Sequence, residues 1–242
     1  MPKFYGSGTV YIIDQNYFGD EFNPYIVYGK LGIGKSSYAM QVSACAYGTY
    51  DNPDWDKMKE YIVFKPEDFV QRCIDMVNED KREKVLIWDD AGLWLYAMDY
   101  NDPFVVAVTK YLNVARTNWA SIIFTTPTPT MVIKKLRSLP DCYTVKIIKS
   151  SSNRGRKQRL RTAKVYEHEM LPDMVKSRTH RKYEDEDWDC MLPKDVFEWY
   201  KPLRKKYTRL AVLEMQKMLM GKLMANQERD VLAKELAEMI TL

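Results

Sequence analysis

From Gly29 to Ser36 the chain reads Gly-Lys-Leu-Gly-Ile-Gly-Lys-Ser, and this octet constrains the fold more than any other stretch. It fits the pattern G-x-x-x-x-G-K-[ST], in which each residue type has a physical task. Glycines let the backbone curl closely around a phosphate chain, with successive N–H groups pointing inward. Lys35 brings a cation to the outer phosphates and Ser36 offers a hydroxyl to a divalent metal. The helix starting there turns the positive end of its dipole towards the anion. The pattern has this meaning only between a strand and a helix, and both flanks are present. Tyr25-Ile26-Val27-Tyr28 is a short, apolar, β-prone run, and Ser36 to Tyr47 holds Ser, Ala and good helix formers without Pro or Gly. The expected phosphate contacts are therefore Gly29, Lys30, Gly32, Gly34, Lys35, Ser36 and Ser37.

A second apolar run, Val85-Leu86-Ile87-Trp88, stops at Asp89-Asp90. A buried strand ending in a carboxylate delivers it to the carboxyl edge of a parallel sheet, where ligands bind. Asp89 is expected in the Mg²⁺ shell beside Ser36, and Asp90 at the attacking water. A third run, Ala120 to Thr125, ends in Thr125-Thr126. A polar strand end can sense a terminal phosphate or hold the lytic water, and Thr126 is taken for that task. Arg116, before this strand, and Arg137, beyond it, are candidates for stabilising the transferred phosphate, from one subunit onto the next.

Between these runs lie helical stretches. Pro66 opens one, with Glu67 and Asp68 in its first turn, and Pro103 opens another. Strands alternating with helices at this spacing indicate βαβ units and a mainly parallel sheet flanked by helices. Thr9 to Ile13 reads as a lead-in strand. Tyr143 to Ile148 and Thr162 to Glu167 read as a hairpin, and Glu184 to Asp189 as an acidic tract. From Pro193 onward the pattern is helical, with a broad apolar stripe (Leu203, Leu210, Leu213, Leu219) better suited to core packing than to an oligomer contact. These readings place a core over residues 1–171 and a mostly helical region over 172–242.

The apolar fraction of 46% is that of a folded chain, and a net charge of +4 restricts any nucleic-acid affinity to a local patch. The patch is the hairpin tip. Lys149 to Lys164 carries seven cations and no carboxylate, among them Arg154, Arg156, Lys157, Arg159 and Arg161. These five are the expected DNA contacts, sequence-independent and salt-sensitive. Four scattered cysteines without a C-x-x-C pair suit a reducing cytoplasm and neither a disulfide framework nor zinc. No basic start with a long apolar run suggests a leader, and no stretch approaches the roughly 18 apolar residues of a membrane span.

The octet GKLGIGKS, the run VLIWDDAG and the block ARTNWASIIFTTPTP–IKKLRSLPDCYTVKII resemble the additional-strand P-loop ATPases, the class of the AAA+ and HerA–FtsK groups. The resemblance spans roughly residues 22 to 150. It implies an α/β P-loop NTPase fold, binding and hydrolysis of ATP with Mg²⁺, action on DNA and assembly into a homo-oligomer. HerA–FtsK proteins usually carry Gln where this chain has Thr126, and Asp-Glu where it has Asp89-Asp90. The paired aspartates and Leu136-Arg137-Ser138 are similar to DnaA-type initiators, in which the arginine acts between subunits. The chain also looks like the small DnaA-like ATPases of crenarchaeal spindle-shaped viruses and plasmids. Open alternatives are a genome packaging or DNA transfer motor, and a ParA-like or regulatory switch, for which Lys30 is the pointer.

Overall fold

The computed structural model describes residues 8–139, 142–151, 159–170 and 178–240. Its strands are β1 (Asn23–Tyr28), β2 (Ile62–Val63), β3 (Glu83–Trp88), β4 (Trp119–Thr126), β5 (Tyr143–Lys149), β6 (Leu160–Met170) and β7 (Arg178–Asp189). The helices are α1 (Gly8–Phe18), α2 (Lys35–Tyr47), α3 (Trp55–Glu60), α4 (Pro66–Asn78), α5 (Pro103–Leu112), α6 (Lys134–Arg137) and α7 (Lys194–Ile240). The strands form one sheet in the order β2-β3-β4-β1-β5-β6-β7. Pairing from β2 through to β5 is parallel, and β6 and β7 extend the sheet in antiparallel fashion. β4 thus lies between β1 and β3, and the fold is the α/β type expected, a mainly parallel sheet flanked by helices.

β4 is buried along its whole length, and β1 and β3 nearly so. Helices cover both faces of such strands, so their sequences read as continuous apolar runs. The core centres on Trp88, whose ring stacks on Phe69 at 4.4 Å and meets Phe104 and Phe124. Pro66 sits in the first turn of α4, where its missing N–H costs nothing. Asp102 caps α5, its Oδ1 accepting from the N–H groups of Phe104 at 2.9 Å and Val105 at 3.1 Å.

Two elements differ from the sequence expectation. Thr9 to Ile13 is helical, within α1. Its β-branched residues suggest a strand, yet burial follows a helical period: Thr9, Ile12, Ile13 and Asn16 point inward while Tyr11 is exposed. Arg82 holds the far end of this helix, its guanidinium donating to the carbonyls of Asn16, Tyr17 and Glu21. The acidic tract is the second half of β7. It pairs with β6 in register, Lys164 opposite Asp185 and Thr162 opposite Asp187, whose carboxylate accepts from the Thr162 hydroxyl at 2.6 Å; an opposite-charge pair across strands favours pairing.

Because β7 belongs to the sheet, the first compact unit runs from Met1 to Pro193 and the second from Lys194 to Leu242. The boundary therefore falls later than the expected 171/172. The second unit is α7, which carries Pro202 within it. Leu213 and Leu219 of the expected packing stripe are exposed, as are Val212, Met215 and Met220. Among the described residues, no helix is long and apolar enough to cross a membrane.

Candidate functional site

Parallel pairing brings three strand ends to one edge. Tyr28 lies level with Thr126, and Trp88 with Phe124. Gly29, Asp89 and the Thr125–Thr126 pair therefore emerge together, the carboxyl-edge placement read from the sequence. The loop from Gly29 to Gly34 bends through three left-handed glycines. At Gly29 a side chain is excluded twice, by a φ of 152° and by the Ile147 carbonyl 2.6 Å from where a Cβ would stand. At Gly34 the φ is 109°, and Cys190 and Trp188 press from behind. α2 begins directly at Lys35, so the first N–H groups of the helix face the loop's hollow.

Asp89 is fully buried. A buried carboxylate needs hydrogen bonds to offset its lost hydration, and two hydroxyls supply them to the same oxygen. Ser36 Oγ donates to Asp89 Oδ1 at 2.7 Å, and Thr125 Oγ1 donates to it at 2.6 Å. Thr125 Oγ1 also accepts from the Asp90 N–H at 2.8 Å, so one hydroxyl ties both aspartates. Asp90 itself takes a left-handed conformation, φ 52° and ψ 34°, which Asp tolerates better than most residues. Lys35 Nζ folds over its own loop and donates to the carbonyls of Gly29 at 3.2 Å and Lys30 at 3.3 Å.

The structure gathers Lys35, Ser36, Asp89 and Asp90 with Thr125. Thr126, the residue expected for phosphate sensing, donates its hydroxyl to the Thr128 carbonyl at 3.1 Å and lies against Gly92, two residues past Asp90. Register explains why Thr125 is the threonine that meets Asp89: Asp89 follows Trp88, so it stands level with Thr125, and adjacent strand residues face opposite sides. The Thr-Thr pair was the available signal, and strand pairing chose between its members. Arg116 lies before the start of β4, at the opposite end of that strand from the site, with its carbonyl accepting from Arg82 Nε at 2.7 Å. Arg137 closes α6 and donates through Nε to the Val132 carbonyl at 3.1 Å.

Arg154, Arg156 and Lys157 lie outside the described residues. The other two expected DNA contacts have partners in the structure, Arg159 at the surface and Arg161 in the interior. Arg159 pairs with Asp189 at 2.5 Å. Arg161 is only 8% exposed and donates through Nε to the Ile33 carbonyl at 2.8 Å, which makes it part of the glycine loop's back wall. The sequence placed both in a solvated tip because it did not reveal β7 and its carboxylates.

Ser36 and Asp89 offer oxygen ligands only, the set that suits Mg²⁺. With phosphate oxygens supplying further ligands, one carboxylate and one hydroxyl are sufficient protein contribution. Mg²⁺ held there would neutralise charge on a polyphosphate lying in the glycine loop, with Asp90 placed at the edge where a water would attack.

No family model matches the sequence. It is 31% identical over 191 residues to "Uncharacterized protein ORF286" of Acidianus two-tailed virus, covering 75% of this chain and 62% of that protein. It is 28% identical over 111 residues to "Uncharacterized protein B-251" of Sulfolobus spindle-shape virus 1, covering 45% of this chain and 44% of that protein. The chain therefore spans between 44% and 62% of the length of these two curated viral relatives. Among solved structures, the N-terminal domain of zonular occludens toxin from Neisseria meningitidis is similar at a TM-score of 0.39 and 18% identity, over 74% of this chain and 98% of that one. A KaiC-like protein, PH0186 from Pyrococcus horikoshii, is similar at 0.35 and 14%, over 66% and 89%.

Proposed function

We propose that this chain is an ATPase that binds ATP with Mg²⁺ in the Gly29–Ser36 loop, hydrolyses it, and acts on DNA as a homo-oligomer. The observation that carries the reading is the buried Ser36–Asp89–Thr125 cluster beside the glycine loop, at 2.7 and 2.6 Å. Lys35 would leave its two carbonyl partners for the β- and γ-phosphates, a short move for a flexible ammonium. Asp89 and Ser36 hold the metal, and Asp90 orients the water. Similarity to two uncharacterized viral proteins supports a viral setting, in which the proposed role is remodelling, replicating or moving the genome of a mobile element. The polycationic β5–β6 connection is the proposed DNA contact. Arg137 and Arg116 are the proposed inter-subunit arginines.

Three variants test the chemistry. Lys35→Ala should remove most ATP affinity, by calorimetric titration. Asp90→Asn should keep ATP binding and lose most steady-state turnover, while Asp89→Asn should weaken the Mg²⁺ dependence of binding. Normal hydrolysis by Asp90→Asn would move the catalytic carboxylate elsewhere. Turnover measured with and without duplex DNA separates a motor, which DNA stimulates, from a nucleotide-gated switch, which it does not.

A further inference from the structure

The nucleotide loop has a back wall built from the antiparallel extension of the sheet. Arg161, near the start of β6, reaches the Ile33 carbonyl through Nε at 2.8 Å and the Leu160 carbonyl through Nη1 at 2.9 Å. Beside it, the end of β7 passes behind Gly34: a Cβ on that glycine would stand 3.2 Å from Cys190 Cβ and 3.4 Å from the Trp188 ring. This end is itself pinned. Gln41 of α2 donates to the Asp189 carbonyl at 2.9 Å, and the Cys190 N–H donates to the Arg159 carbonyl at 3.0 Å.

In a planar trans peptide the carbonyl of one residue and the N–H of the next point in opposite directions. A guanidinium that holds the Ile33 carbonyl from behind therefore sets the Gly34 N–H to face forward, into the hollow of the loop. Glycines make such a peptide easy to flip, and a flipped peptide presents a carbonyl to the phosphates in place of a donor. We propose that Arg161 is a positioning residue. It touches no phosphate, but locks the Ile33–Gly34 peptide so that the loop is a preformed anion nest. It also adds a buried positive charge behind that nest. The proposal rests on the nucleotide-binding reading and assigns a structural task to a cation the sequence had placed at a DNA surface.

The test is calorimetric titration of the full chain with ATP–Mg²⁺, ADP–Mg²⁺ and inorganic tripolyphosphate. Arg161→Met should weaken all three by a similar factor, about 10- to 100-fold, the range of a lost charge-assisted hydrogen bond. Arg161→Gln, which keeps a donor on a shorter stem, should weaken them too. Wild-type affinity for all three in either folded variant overturns the proposal. So does a loss confined to ATP, which would mean direct contact with the terminal phosphate. Failure of the wild type to bind any of the three removes the nucleotide reading itself, a separate result. The wild type also supplies a measurement that needs no variant. The Gly34 amide resonance should shift strongly on adding tripolyphosphate, and the Arg161 Nε–H should stay protected from exchange before and after. An unmoved Gly34 amide overturns the proposal.

Discussion

A single hydroxyl decides how the two aspartates stand. Thr125 Oγ1 donates to Asp89 at 2.6 Å and accepts from the Asp90 N–H at 2.8 Å, all at the buried end of β4. Thr125→Val leaves the Asp90 N–H without this acceptor and takes one of two hydroxyls from Asp89. The expected cost is about 1–3 kcal/mol in denaturant unfolding, with a fall in ATP turnover. Thr126→Val loses only a bond to a turn carbonyl and should change turnover far less. Equal effects from the two variants would show that the register argument does not govern the site. At this scale the bends of the glycine loop and the meeting of Ser36 with Asp89 were legible, because both follow from residue types at fixed positions beside strand ends. The choice of Thr125 over Thr126 was not, because it depends on the facing of β4 against β3.

At the scale of elements, the buried parallel strands announced themselves as short apolar runs, and proline and aspartate marked the helix starts. β7 did not. Arg-Thr-His-Arg-Lys-Tyr-Glu-Asp-Glu-Asp-Trp-Asp has no apolar alternation, and its strand conformation comes from antiparallel pairing along the length of β6. Within that acidic run one carboxylate is buried. Glu186 accepts from the Tyr38 hydroxyl at 2.6 Å and from the Thr9 N–H at 2.9 Å, joining β7 to α2 and to the start of α1. Burial first, and then Glu186 itself, push the Tyr38 phenol well above its ordinary value, so it remains the donor at working pH. Glu186→Ala should destabilise the chain by about 1–3 kcal/mol, with faster amide exchange concentrated in the first turns of α1. An unchanged α1 would show that the helix is held by its apolar face alone.

For the whole molecule, the first unit ends at Pro193 because β7 completes the sheet. A chain of residues 1–193 should fold and bind ATP with near wild-type affinity. One ending at 171 should aggregate or unfold in circular dichroism, since it lacks Glu186, Trp188 and the wall behind Gly34. If the shorter chain binds ATP equally well, β7 is dispensable. With Arg161 buried and Arg159 paired at the surface with Asp189, DNA affinity should depend on Arg154, Arg156 and Lys157. Replacing those three by Ser should flatten the slope of log affinity against log salt by about 2 to 3, at roughly 0.9 per phosphate contact, with basal ATPase kept. The sequence by itself determined the alternating α/β order, the glycine-rich loop before α2 and the strand that ends in Asp89, because each is a local pattern with a local physical cause. Only the tertiary structure decided which threonine meets Asp89, that an acidic tract becomes a strand, and that Arg161 faces the glycine loop. Those outcomes depend on register and on opposite charges far apart in the chain, which no local period records.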